Sequence, residues 1–125
     1  MKQATKALGN KRLLRLAAVI ATSDHYNQMV IIDDCGTPAC ALGHASYLWP
    51  KHFLIEADED RYICEYKHSF LSARMLVMEG AEYFFSLSPN EVQRLFGAFG
   101  CNSARYDGKK AANYIRDFVR AAAGR

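Results

Sequence analysis

Four cysteines and four histidines are the residues of this chain best suited to chemistry, and their spacing limits what that chemistry would be. The densest grouping reads Asp34-Cys35-Gly36-Thr37-Pro38-Ala39-Cys40-Ala41-Leu42-Gly43-His44-Ala45. Thr37 suits a helix N-cap, and Pro38 suits the first helical position, where no N–H is required. Cys35 then stands just outside a helix start, where unpaired amides and the helix dipole favour its thiolate. Cys40 and His44 are four apart, so a helix sets them on one face. A structural reading buries these small residues and cysteines in tight helix packing. A zinc reading takes Cys35, Cys40 and His44 as ligands, with Cys64, His68, Cys101 or His52 as the fourth; the spacing lacks the usual paired-cysteine knuckle. A thiol-hydrolase reading makes Cys35 the nucleophile and His52 or His68 its base.

The elements that must position these residues follow from hydrophobic period and punctuation. Residues 1–9 read as a short basic arm ending at Gly9-Asn10. A helix is expected from Asn10 to Thr22, with Leu13, Leu16, Ala17 and Ile20 on one face and Lys11 and Arg15 away from it. Met29 to Ile32 is a β-branched run, and the helix opened by Thr37-Pro38 runs to Leu48 before Pro50. Phe53-Leu54-Ile55 and Tyr62-Ile63-Cys64 flank the acidic turn Asp58-Glu59-Asp60, a β-hairpin signal. His52 and His68 fall at its two ends. Residues 69–78 fit helix and strand equally. A helix returns from Glu79 to Leu87, and Ser88-Pro89-Asn90-Glu91 starts another through a capping box, with Val92, Leu95, Phe96 and Phe99 on its apolar face. The last helix spans Lys109 to Ala122 and is expected to bury Ala111, Tyr114, Ile115, Phe118 and Val119. The expectation is one domain over residues 1–125, of the α+β class and mostly α, with four to five helices and a small β-hairpin.

Composition excludes several classes. Half of the 125 residues are hydrophobic and 23% are charged, which is a globular balance and neither disordered nor low-complexity. No apolar run approaches the ~18–20 residues of a membrane span, so no membrane partner is expected. Arg15 interrupts the apolar segment near the start, which therefore reads as a helix and not a secretion signal. A cytoplasmic setting with reduced thiols follows. The net charge of +3 is unevenly distributed. Residues 1–23 carry five bases and no acid, residues 24–91 carry eleven acids and four bases, and residues 92–125 carry seven bases and two acids. Such a bipolar chain can be oriented on a charged partner. Direct nucleic-acid binding is possible on this pattern but is not favoured, because the overall excess is small.

The pattern Cys35-Gly36-Thr37-x-x-Cys40-x-x-Gly43-His44-Ala45 resembles a motif of short, uncharacterised bacteriophage and bacterial proteins. The likeness continues in order through the Leu/Ala-rich stretch Leu13 to Ile20, Tyr26-Asn-Gln-Met29, Ala81-Glu-Tyr-Phe-Phe85, and Leu87-Ser-Pro-Asn-Glu-Val-Gln-Arg-Leu95-Phe96. It implies a mobile-element setting and transfers no activity. In similar sequences an aromatic can replace the residue at His44, which weakens a ligand role for it. The Cys35 layout is also similar to that of papain-like hydrolases, whose cell-wall endopeptidase relatives carry a pair resembling Asp34-Cys35. No third, orienting residue is evident, and the usual sheet is missing. The function expected is accordingly non-enzymatic: a mobile-element protein that binds and inhibits a host macromolecular machine, in the manner of anti-CRISPR inhibitors. Its partner would be a host protein or ribonucleoprotein, and no cofactor is required beyond the zinc alternative. Tyr47, Trp49 and His52 around Pro50 are candidate anchors, with the charged pairs Asp58 and Glu59, and Lys109 and Lys110, as orienting groups.

Overall fold

A computed structural model of the chain describes residues 3–23, 26, 41–58, 61–67, 74–96 and 107–123; for 54–58, 61–67, 74–77 and 123 it describes the backbone only. Five helices carry the body: α1 (Lys6–Ile20), α2 (Ala41–Leu48), α3 (Val77–Phe84), α4 (Pro89–Phe96) and α5 (Gly108–Ala123). Between α2 and α3 run three short strands, β1 (Phe53–Asp58), β2 (Arg61–Lys67) and β3 (Arg74–Leu76), paired antiparallel in that order. The register sets Phe53 opposite Tyr66 and Asp58 opposite Arg61 in the first pair, and Glu65 opposite Leu76 in the second.

The expectation of an α+β domain built with a hairpin is corrected to a helical protein. Of the residues whose packing is described, 76% are helical. The described core draws on all five helices and the turns beside them, and among the residues whose burial is described Phe53 joins it from a strand. The reason is physical. Amphipathic helices that converge on a cluster of large aromatics enclose it without needing a sheet as a layer.

The apolar face of α1 is buried as its period requires: Leu13, Leu16, Ala17 and Ile20 are fully inside. The helix nevertheless begins four residues before the expected Asn10. Thr5 caps it, its Oγ1 accepting the Leu8 N–H at 3.2 Å. Gly9 therefore lies within the helix and is buried, where it looked like a break. A Cβ there would collide with the Phe85 backbone carbonyl and stand 3.0 Å from the Ser86 Cβ. The glycine thus admits the chain that follows α3. Gly108, the first residue of α5, plays the same part against the Ile20 carbonyl that ends α1. Gly108→Ala should lower stability by about 1–3 kcal/mol, because overpacking against backbone outweighs the ~1 kcal/mol of helix propensity that alanine gains. Urea unfolding measures it, and a stabilised variant would mean the two helices do not meet at this point.

Helix α3 ends at Phe84. The Leu87 N–H reaches back to the Glu82 carbonyl at 2.9 Å, and Ser86 adopts the left-handed conformation (φ 56°). This is a Schellman-type stop with serine in the position glycine usually holds. The remaining carbonyls at this end are satisfied by the N-terminal segment. The Ala4 N–H donates to the Tyr83 carbonyl (2.9 Å), Lys6 Nζ to Ser86 (2.7 Å), an Arg12 guanidinium nitrogen to Phe84 (2.8 Å), and Gln3 Nε2 to Glu82 (3.1 Å). Two cations thus sit at the negative end of a helix dipole. The docked segment 3–9 is in part the first turn of α1.

Helix α4 starts with the capping box that its sequence spells. The Ser88 N–H donates to Glu91 Oε1 at 2.8 Å, and the Glu91 N–H donates to Ser88 Oγ at 3.2 Å. Helix α5 is capped by Asp107, whose Oδ1 accepts the N–H groups of Lys109 (3.0 Å) and Lys110 (3.2 Å). Of residues 69–78, which fitted two conformations, 74–76 form β3 and 77–78 begin α3, and 69–73 lie outside the described residues.

Candidate binding site

The expected anchors around Pro50 separate. Tyr47 is exposed (55%) at the end of α2. Trp49 is only partly exposed and lies edge-on to Phe84 and Phe85, at centroid separations of 4.9 and 5.8 Å. His52 is 5.0 Å from the Phe84 ring. Phe53 and Phe85 complete the ring of aromatics about Phe84, at 5.1 and 5.0 Å, and Arg12 lies over its face at 3.9 Å. Phe84 is therefore the hub of an aromatic cluster closed by a cation. Trp49 and His52 belong to that cluster, and Tyr47 stands apart from them.

The cluster also sets the protonation of His52. Burial is the main cause that lowers its pKa below 6.5, followed by the positive charges of Arg12 and Lys51. A lowered folded-state pKa means that the unfolded chain takes up the proton first. His52 therefore contributes stability that is complete above pH 6.5 and is lost as the pH falls below it. His52→Gln should flatten the dependence of stability between pH 7.5 and 5.5. An unchanged slope would contradict this assignment.

Of the thiol and metal candidates, Cys35, Cys40, Cys101 and His68 lie outside the described residues, as does Glu59. Cys64 is in β2, opposite Ile55 of β1. His44 is buried (7% exposed) on α2, with its ring 6.2 Å from that of Tyr26. Among the described residues no group of three or more His, Cys, Asp or Glu side chains is close enough to hold a metal ion. Asp58 ends β1, and Lys109 and Lys110 are exposed in the first turn of α5.

A cleft between α4 and α5 is a concave feature of the described residues. Glu91 and Arg94 line it from α4, and Tyr114, Asp117, Phe118, Ala121 and Ala122 from α5, around a volume of about 280 Å³. The helix period explains its floor. Ala111, Ala112, Ile115 and Val119 of α5 are buried in the core, whereas Tyr114 and Phe118 sit at the edge of that stripe and are only half-buried. This corrects the expectation that both rings lie inside. The Arg94 guanidinium stands 5.8 Å from the Phe118 ring. Small side chains at Ala121 and Ala122 leave the space open. The cleft combines an aromatic floor with a rim of both charges, which is the layout of a protein-binding hot spot. Sequence reasoning did not single it out; the one available signal was the pair Tyr114 and Phe118 with two alanines one turn further on.

No family model, curated protein or solved structure matches the chain. Among the described residues no helix is long and apolar enough to cross a membrane.

Proposed function

We propose that the chain is a non-enzymatic binding protein of a mobile element that inhibits a host macromolecular machine by occupying one of its surfaces in the cytoplasm. The observation that carries the binding part is the α4–α5 cleft. It offers aromatic area from Tyr114 and Phe118 beside Glu91, Arg94 and Asp117, and so suits a protein surface with an apolar knob and charges around it. The mobile-element setting rests on the resemblance of the Cys35 to Ala45 segment and of the stretches before and after it, and the inhibitory role rests on that setting by association, because small mobile-element proteins often act by occupying a host surface. The partner class is a host protein or ribonucleoprotein.

The test is affinity capture from a lysate of the host, with quantitative mass spectrometry and two variants. Ala121→Trp places an indole in the cleft from an exposed position, so it should abolish recovery of a stoichiometric partner while the melt stays unchanged. Cys35→Ser should leave recovery intact. Loss of the partner in Cys35→Ser alone, in folded protein, would transfer the function to the thiol.

A further inference from the structure

We infer that α5 presents a basic line that binds the phosphodiester backbone of nucleic acid without sequence preference, on a surface separate from the α4–α5 cleft. Lys109, Asn113, Arg116 and Arg120 are spaced i, i+4, i+7 and i+11, which aligns them along one side of the helix. Lys109, Asn113 and Arg120 are exposed and Arg116 is half-buried; the buried stripe of Ala111, Ala112, Ile115 and Val119 is centred roughly a third of a turn around the helix, with Ala112 beside Arg116. Lys110 is exposed one step around. The line is about 16 Å long at ~1.5 Å of rise per residue, and a duplex of that length carries roughly nine phosphate charges.

The acids nearby offset only part of it. Asp117 pairs with Arg120 at 3.1 Å and so screens one of the bases, and Asp107 caps the helix through the amides of Lys109 and Lys110, which leaves two more bases than acids over residues 107–123. Lys109 and Lys110 also stand at the positive end of the helix dipole, with no acid in the first turn. That placement is unfavourable for the helix and favourable for an anion. The packing of the chain adds to the field. Helix α5 packs against α1 and begins on its Ile20 carbonyl, and α1 exposes Lys11 and Arg15 with no acid of its own. Two basic segments distant in the sequence are thereby placed side by side. The charge complements a polyanion, and Lys109, Arg116 and Arg120, with Lys110 beside them and the neutral Asn113 between, supply bases along the length of the helix for successive phosphates.

Fluorescence anisotropy with a 20-base-pair DNA duplex of random sequence tests this on purified protein, independently of the cleft. Four phosphate contacts give a slope of about −3.6 in log affinity against log salt, or a loss of roughly 150-fold between 50 and 200 mM. The combined substitution K109Q/K110Q/R116Q/R120Q should remove binding at 50 mM salt. Should that variant melt early, K109Q/K110Q/R120Q, confined to exposed positions, should reduce the slope to about −0.9. Ala121→Trp should leave duplex binding unchanged, which separates this surface from the cleft. The inference fails if the folded wild type does not bind the duplex at 50 mM salt, or if the substitutions leave the slope intact. It also fails if poly-glutamate competes as well as the duplex at equal charge concentration, since the face would then recognise acidic protein.

Discussion

Phe84→Ala should lower the free energy of unfolding by about 3–5 kcal/mol, the range for deleting a fully buried aromatic side chain. Phe84 is 1% exposed, and the rings of Trp49, His52, Phe53 and Phe85 all lie within about 5.1 Å of its own. Trp49, His52 and Phe53 come from the turn after α2 and Phe85 from the residue next to Phe84, and these rings are held against one another, so they collapse only in part into the space that the substitution opens. Arg12 also loses the ring beneath its guanidinium, although its hydrogen bond to the Phe84 carbonyl remains. For a chain of this size the midpoint of thermal unfolding should fall by roughly 10–20 °C. A fall of less than ~1 kcal/mol, typical of surface positions, would show that the aromatic hub does not exist in solution.

Leu95→Ala should cost about 2–5 kcal/mol, and Phe118→Ala clearly less, despite the larger side chain removed. From sequence the two substitutions look equivalent, since each residue lies on the apolar stripe of its helix. The structure separates them. Leu95 is 1% exposed within the core, whereas Phe118 is half-buried on the floor of the cleft and already meets water on one side. Truncating Phe118 opens the cleft further and leaves no closed cavity, so the cavity part of the cost is absent. Denaturant unfolding of both variants decides the point. Equal losses would place Phe118 in the core and remove the floor of the proposed binding site.

What was legible in the sequence was what local period and punctuation encode. Leu13, Leu16, Ala17 and Ile20 recur at helical spacing and are buried, and Ser88 with Glu91 forms the capping box their types suggest. The errors arise where a distant segment decides. Gly9 is a helix breaker by local propensity, yet it is helical because the Phe85 carbonyl requires the space a side chain would fill. Lys6 and Arg12 count in the sequence only toward a basic segment without acids, yet they close the end of α3, 72 to 80 residues away. The α+β class failed for a related reason. The signal of a small β-hairpin was given weight in the class, while the described core is enclosed by helices around Phe84 and Phe85. The cleft was hidden because period alone does not distinguish the centre of an apolar stripe from its edge, and Tyr114 and Phe118 lie at the edge. The Cys35 to Cys40 stretch lies outside the described residues, so the thiol and zinc readings stand as expectations of the sequence.

Hydrogen exchange on the captured complex tests the central claim, binding through the α4–α5 cleft, most directly. Amides of residues 89–96 and 113–122 should exchange more slowly in the complex than in the free protein, because the cleft they line is covered. Amides in the first turns of α1 should be unaffected by the partner. Protection confined to residues around Tyr47 or along α1, with α4 and the second half of α5 unchanged, would contradict the account.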